Sequence, residues 1–438
     1  MKKVLLLGAG LVSNPLVQYL LEQGYSLTVA SRTVSKAEAL VKGHPNGTAL
    51  ALNVKDGEAL DNLVGSHDLT ISLLPYTFHL KVAEASLKHK KPMVTTSYVS
   101  AEMDALDNRA KEAGILILNE CGLDPGIDHM SAMKIIHKAE AEGGKIIHFR
   151  SFCGGLPAPE ANDNPFGYKF SGSPKGVLMA GRNNARFLED GEVKEIPGKI
   201  LFDSCKMMTV PIAGEFEGYP NRDSVPYKAI YDLKDAKTVL RGTLRNQGWC
   251  KTLKKISDLG LVTDDEQNFQ GKTYADVLRD LVGAGKDEDL RSATALKVGL
   301  PKDHPVLDRL DWLGLFSDDA IPIESGGTID MMTARMIEKM SFTEDERDMI
   351  VLNHDFEVHY SDRKERITST MVDYGIPGGD SSMARTVSLP AAIATRMILE
   401  GQIADTGVLI PIKPSIYNPI LDELETMNIK MVEETTIL

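Results

Sequence analysis

Few folds are open to a chain that begins MKKVLLLGAGLVSNPLVQYLLEQGYSLTVASRT. An apolar run at residues 4–7 meets Gly8-Ala9-Gly10, a helical pattern follows to Gly24, and a second apolar run ends in Ser31-Arg32-Thr33. That order reads as strand, glycine turn, helix, strand, the unit that seats a dinucleotide pyrophosphate on a helix N-terminus. Gly8 and Gly10 permit a tight turn and bring backbone N–H groups up to phosphate. Ser13 stands where the usual fingerprint has its third glycine. It is expected to cap the helix, with Pro15 in the first turn.

The end of the second strand selects the cofactor. An enzyme that takes NAD usually carries Asp or Glu there, to accept hydrogen bonds from the ribose 2′-hydroxyl. Ser31, Arg32 and Thr33 offer a cation and two hydroxyls instead, a set suited to a 2′-phosphate. NADP is therefore the expected cofactor.

With 438 residues the chain has material for two or three domains. A net charge of −13 argues against nucleic acid or an anionic membrane as a partner. An anionic substrate would need a local cluster of Arg or Lys working against that field. The chain enters a strand at once and has no apolar stretch of membrane-spanning length, so neither a leader nor a membrane segment is expected. Cys121, Cys153, Cys205 and Cys250 are widely spaced and form no CxxC pair, which reads as reduced thiols in the cytoplasm.

Short apolar segments at 48–54, 68–74, 92–96 and 115–119 alternate with helical patterns at 79–89 and 101–113. The fold class expected is α/β: a Rossmann-type doubly wound parallel sheet plus a mixed α/β substrate domain carrying a helical insert. In such a sheet ligands collect outside the carboxyl ends of the strands. Those ends carry Gly8, Ser31, Asn53-Val54, Leu74-Pro75-Tyr76, residues 95–98 and residues 120–124. Beyond Gly126 a helix runs to about 142, followed by strands at 145–152, 177–178, 198–201 and 238–244. Residues 251–352 read as a helical insert, 355–359 and 367–374 as strands, and 382–400 as a long helix after the glycine-rich hinge at 375–379. A strand at 408–411 and a helix at 419–427 close the chain. The nucleotide domain is thus expected at 1–125, completed by 385–438, and the second domain at 126–384.

Three loops carry candidate chemistry. In NECGLDPGIDHM, Pro125-Gly126 ends a strand and leaves Asp124 at the crevice edge, placed to meet a substrate ammonium or the nicotinamide end. Asp124, Asp128 and His129 are metal-ligand types, but aspartates opening a helix complement its dipole, and no metal site is expected. The segment 153–176, with Gly154-Gly155 and several prolines, reads as a rigid irregular element. Its Cys153 is a candidate nucleophile for which no spacing identifies a base. Arg222 in PNRDS and Arg241 and Arg245 in RGTLRNQG suit bidentate binding of carboxylates, and the last two share a face if that segment is a strand. Tyr76 and Tyr98 end strands with phenols at the rim, while His79 and His129 open helices and read as structural.

Taken together, LLGAGLVSNP, ASRT, ISLLPYTFH, VTTSYVS, NECGLDPGIDH, CGGLPAPE, NPFGYKFSGSPKG, YPNRDS and RGTLRNQG resemble the saccharopine dehydrogenase family, most closely its L-glutamate-forming members. The resemblance implies an NADP-dependent enzyme of lysine metabolism. It would take a hydride from the former lysine ε-carbon of saccharopine and hydrolyse the imine to L-glutamate and 2-aminoadipate 6-semialdehyde, or run the reverse. Carried over by position, the cofactor pocket is Gly8, Gly10, Leu11, Val12, Ser13, Ser31, Arg32, Thr33, Asn53, Val54, Leu74, Pro75, Tyr76, Leu123, Asp124 and Pro125. Substrate contacts fall on Ser97, Tyr98, Asp124, Arg222 and Arg245, and a homodimer is implied. Asp124, Tyr98 and Cys153 are the acid–base candidates, none singled out. A carboxynorspermidine dehydrogenase-like imine reductase is the nearest alternative, and a non-catalytic NADPH-sensing protein is a second. The arginine loops speak against both, because a polyamine substrate calls for acidic residues and a sensor needs no carboxylate clamps.

Overall fold

The computed structural model describes residues 1–438, which divide into two compact units: residues 1–144 with 375–432, and residues 145–374 with 433–438.

In the first unit, β1 (Lys3–Leu7), β2 (Ser26–Ser31), β3 (Gly47–Ala51), β4 (Leu69–Ser72), β5 (Met93–Thr95) and β6 (Leu116–Leu118) pair in parallel. The order across the sheet is β6-β5-β4-β1-β2-β3, with the late strand Gly407–Leu409 added in parallel beyond β6. Strands of this kind are covered on both faces, which is why they read as unbroken apolar runs. Val4, Leu5, Leu6 and Leu7 have no exposed surface. Helices Asn14–Glu22, Val34–Val41, Gly57–Ser66 and His79–His89 supply the covering layers. The expected helix 101–113 is broken into Ala101–Asp104 and Asp107–Ala113, and Ser100 caps the first piece through the Met103 N–H.

Three expected boundaries move. Helix Ile127–Ala141 belongs to the first unit and buries ten of its residues. It packs on helix Pro414–Thr426, where Tyr417 Oη lies 2.8 Å from His137 Nδ1. Helix Ser382–Leu399 joins the same unit through Arg396, whose Nε donates to Tyr19 Oη at 2.8 Å while its fork reaches Glu423. Residues 433–438, by contrast, belong to the second unit, whose sheet the strand Val432–Ile437 joins at the edge.

The second unit is built on a mixed nine-stranded sheet. Its main strands are β7 (Lys145–Pro157), β8 (Ala185–Glu189), β9 (Glu192–Ile196), β10 (Lys206–Val210), β11 (Gly214–Pro220) and β12 (Thr238–Arg245). Two long strands, Asp348–His359 and Lys364–Tyr374, pair as a hairpin and continue the sheet beyond β7. Strand β7 runs through Cys153, Gly154 and Gly155, correcting the expected irregular loop there. Residues 177–178 lie in helix Pro174–Ala180 and residues 198–201 in a 3-10 turn, Gly198–Ser204, rather than in strands. Pro174 preset for a helical first turn and the Ser173 cap on the Gly176 N–H explain the first of these. The helical insert holds Trp249–Asp258, Tyr274–Val282, Leu290–Val298, Pro305–Trp312 and Thr328–Lys339 around Trp249, Phe269, Tyr274, Leu310 and Met332. It stops short of residue 352, because the strand begins at Asp348.

Candidate active site

At the end of β1 the chain turns through Gly8, whose φ of 113° is open to few residues other than glycine. A Cβ there would stand 3.0 Å from the Leu73 carbonyl oxygen, so the turn also hugs the neighbouring strand end. Ser13 is fully buried, and its side chain caps no helix N–H, correcting the expected role. Its Oγ instead accepts from the Gly10 N–H at 3.1 Å and donates to the Gly8 carbonyl at 3.3 Å. The hydroxyl thereby pins the glycine turn from inside and leaves the N–H groups of Leu11 and Val12 without an intrachain acceptor. Free amides at a helix N-terminus form an anion cradle. Leu11 and Tyr76 present exposed apolar side chains at strand ends of this sheet.

At the end of β2, Ser31 Oγ accepts from the Thr33 N–H at 3.3 Å, while Arg32 is exposed and makes no ion pair. A guanidinium free beside two hydroxyls fits a phosphate monoester. Asn53 folds over the N–H of Lys55 at 3.1 Å and Val54 is buried beneath it. Leu74, Pro75 and Tyr76 follow β4, with Pro75 and Tyr76 exposed. These residues fit the pyrophosphate, the 2′-phosphate and the ring-bearing parts of NADP.

The ends of β5 and β6 are joined by hydrogen bonds. Glu120, in a left-handed conformation (φ 55°), donates its N–H to the Ser97 carbonyl, and Cys121 donates to Thr95. The Glu120 carboxylate accepts from the Val99 N–H at 3.0 Å and lies 2.6 Å from His129 Nε2, both side chains buried. Tyr98 Oη donates to Asp124 Oδ1 at 3.3 Å, and both residues are half-buried. Asp124 precedes Pro125 in a cis peptide, and the turn closes on Gly126, where φ is 150° and a Cβ would fall 2.0 Å from the Gly122 carbonyl oxygen. Leu123 is buried in this turn, its carbonyl taking the Asp128 N–H, and Asp128 in turn accepts from the Gly126 N–H at 2.6 Å. Below, His79 Nδ1 stands 2.9 Å from Ser72 Oγ and Nε2 2.8 Å from Ser97 Oγ. Burial pushes the His79 imidazole down to about 4, so it is neutral near pH 7.

In the second unit, Arg241 and Arg245 share one face of β12 and are both buried. Arg241 lies over the Tyr227 ring at 4.4 Å, and Arg245 over Tyr168 at 5.1 Å and Trp249 at 5.8 Å. Arg245 Nη1 donates to the Leu244 carbonyl, while Nε is buried without a partner. Cys153 is register partner to Thr243 of β12, which brings its thiol to the Arg245 side of the sheet. Arg222 is exposed, in a left-handed conformation (φ 56°) just past β11, where Asn221 donates to the Arg241 carbonyl. Pro220 opposes Gly242, so Arg222 and Arg245 sit toward opposite ends of this strand pair, roughly 15 Å apart at about 3.3 Å per residue.

Sequence reading missed two features. Glu120 and His129, separated by nine positions, meet only because a left-handed turn folds the chain back. Cys205, Glu217 and Cys250 gather their ligand atoms within 4.8 Å of one another. Glu217 there accepts from the N–H groups of Gly248 and Cys250, at 2.7 and 2.8 Å. The Cys205 thiol, together with burial, holds the Cys250 thiol well above its ordinary range. Two grooves, of about 820 and 570 Å³, lie on the helical face of the first unit and on the outer part of the second sheet; neither is lined by the candidate residues.

Two family models match the chain: the saccharopine dehydrogenase NADP binding domain over residues 4–118 and the saccharopine dehydrogenase C-terminal domain over residues 122–429. The saccharopine dehydrogenase [NADP(+), L-glutamate-forming] of Pyricularia oryzae is 43% identical over 97% of this chain and 96% of its own length. The protein of the same name from Saccharomyces cerevisiae is 42% identical over 100% of this chain and 99% of its own. A solved structure of apo saccharopine dehydrogenase (L-Glu forming) from Saccharomyces cerevisiae superposes with a TM-score of 0.92, covers 100% of both chains and is 41% identical.

Proposed function

The chain belongs to the saccharopine dehydrogenase family, and from that premise we infer that it is the NADP-dependent, L-glutamate-forming enzyme. It oxidises saccharopine, a CH–NH donor, to L-glutamate and 2-aminoadipate 6-semialdehyde, or runs the reverse, in lysine metabolism. The observation that carries this reading is the 42–43% identity spread along nearly the whole chain, which takes in both the nucleotide turn and the arginine loops. NADP⁺, when bound, supplies the hydride acceptor.

The residues of the chain do the rest. The turn Gly8–Ser13 and the free amides of Leu11 and Val12 take the pyrophosphate, and Ser31, Arg32 and Thr33 take the 2′-phosphate. Asn53, Val54, Leu74, Pro75, Tyr76, Leu123, Asp124 and Pro125 line the remainder. Ser97, Tyr98, Asp124, Arg222 and Arg245 bind saccharopine, an extended molecule with three carboxylates. The buried, unpaired Nε of Arg245 supports this, because an anionic group reaching it would relieve on the order of 1–3 kcal/mol of lost hydrogen bonding. The spacing of Arg222 from Arg245 suits carboxylates held far apart. Asp124, through its hydrogen bond with Tyr98, is the group best disposed to hold a proton near the substrate nitrogen, and Cys153 remains a weaker candidate.

The test is NADPH formation that depends on saccharopine, with NAD⁺ and carboxynorspermidine as controls. No saccharopine-dependent signal would overturn the reading. The protein acts as a cytoplasmic homodimer in this proposal, to be checked by light scattering after size exclusion and by fractionation. No helix is long and apolar enough to cross a membrane.

A further inference from the structure

Beneath the β5 end lies a hydrogen-bonded row of three side chains, Ser72, His79 and Ser97. Ser72 and His79 are buried, and Ser97 is half-buried at the rim of the candidate site. The imidazole touches one serine with each nitrogen, at 2.9 Å through Nδ1 and 2.8 Å through Nε2. A neutral ring has one donor and one acceptor, so the two serines must play opposite roles.

Ser72 decides which. Its side chain has no surface and no hydrogen-bond partner except His79 Nδ1. Leaving a buried hydroxyl hydrogen unpaired costs more than leaving a lone pair unused, so Ser72 donates to Nδ1. The ring proton then sits on Nε2 and is donated to Ser97 Oγ. Thr95 Oγ1, 3.5 Å from the same Nε2, adds a second, weaker acceptor to that proton. With one lone pair of Ser97 occupied, its own hydrogen has no acceptor within the chain and is left for a bound group at the half-buried rim. A hydroxyl that accepts one hydrogen bond is polarised into a better donor.

We propose that His79 is a positioning residue that sets Ser97 as a hydrogen-bond donor, so that Ser97 grips a carboxylate of the substrate and not its ammonium group. The inference rests on the reading of Ser97 as a substrate contact and adds to it the partner and its polarity. Burial keeps the ring neutral, as the relay requires.

Steady-state kinetics of the full chain, with folding checked by circular dichroism, test it. Ser97→Ala should raise KM for saccharopine about tenfold, with little change in kcat or in KM for NADP⁺. His79→Phe should do the same although Ser97 is intact, and the double variant should be no worse than either single one. His79→Gln, whose amide can donate from the Nε2 position, should recover most of the loss. Glutarate, a dicarboxylate without ammonium, should inhibit Ser97→Ala and His79→Phe more weakly than wild type, and an unchanged inhibition constant in both overturns the carboxylate assignment. If Ser97→Ala leaves KM unchanged, the substrate reading of Ser97 itself fails. If Ser97→Ala raises KM and His79→Phe does not, the role of His79 is overturned while Ser97 stands. Should His79→Phe fail to fold, His79→Asn decides: its shorter amide can meet Ser72 from the Nδ1 position but does not reach Ser97, so it should raise KM as Ser97→Ala does, and no change overturns the proposal.

Discussion

Tyr98 and Asp124 stand 26 residues apart in sequence, yet the Tyr98 hydroxyl donates to Asp124 Oδ1 at 3.3 Å. The contact exists because β5 and β6 are parallel neighbours, so the loops leaving their carboxyl ends are adjacent. Backbone bonds from Glu120 to Ser97 and from Cys121 to Thr95 hold the two loops in register. A phenol and a carboxylate so placed share one proton-bearing hydrogen bond, which the proposed function sets at the substrate nitrogen. Tyr98→Phe and Asp124→Asn should each lower kcat/KM for saccharopine by roughly 10- to 100-fold, the loss of one charged hydrogen bond of about 1.5–3 kcal/mol. Because the two act as a unit, the double variant should lose less than the product of the single effects, which a double-mutant cycle measures.

In the proposed site Arg32 is the residue that selects NADP⁺ over NAD⁺. Arg32→Ala removes the one cation of the Ser31-Arg32-Thr33 set and should raise KM for NADP⁺ at least tenfold, while KM for NAD⁺ changes little. Equal effects on both nucleotides would remove Arg32 from the 2′-phosphate site.

Arg245 separates charge from shape. Arg245→Lys keeps the cation but loses the planar fork and its stacking over Tyr168 and Trp249, so KM for saccharopine should rise while KM for NADP⁺ stays level. Arg245→Ala should additionally lower the melting temperature, since it opens a void beside a buried aromatic cluster. Melting curves run alongside the kinetics distinguish the two effects.

His79 imposes a pH dependence on stability. Its folded-state pKa is about 4, below the ordinary 6.5, because burial disfavours the charged ring. The unfolded chain therefore takes up a proton that the folded chain refuses. This contribution is complete above pH 6.5 and is lost as the pH falls toward 4, reaching about 2 kcal/mol at about pH 5. His79→Gln cannot titrate, so the stability gap between wild type and variant in urea unfolding should narrow on going from about pH 7.5 to about pH 5. A gap independent of pH would contradict the assignment.

Much of the first unit was legible in the chain. Its parallel strands are short apolar runs covered on both faces, and helix 79–89 begins and ends where its pattern does. The second unit was less so. The hairpin of β8 and β9 turns at Asp190-Gly191, both at positive φ; the Asp-Gly pair marks such a turn, but Glu192–Ile196 is largely exposed and polar and carries little strand signal of its own. Strand β7 hid its last third because Gly154 and Gly155 look like a loop. In the structure Gly154 lies against Leu244, where a Cβ would fall 2.6 Å from the carbonyl oxygen.

Residues 1–33 alone determined that the chain binds a dinucleotide and that the dinucleotide is NADP, because turn geometry and the charge at a strand end are local properties. The arginines at 222, 241 and 245 pointed to a polycarboxylate, because a guanidinium fork has that preference wherever it stands. What those groups are joined to was decided only by tertiary structure. Ser13 looks like a helix cap and locks the glycine turn, Arg222 lies past the end of its strand away from Arg245, and His79, an ordinary helix-opening residue in sequence, meets Ser72 with one ring nitrogen and Ser97 with the other. Hydrogen bonds between side chains far apart in sequence depend on strand register and loop closure, and no local pattern encodes either.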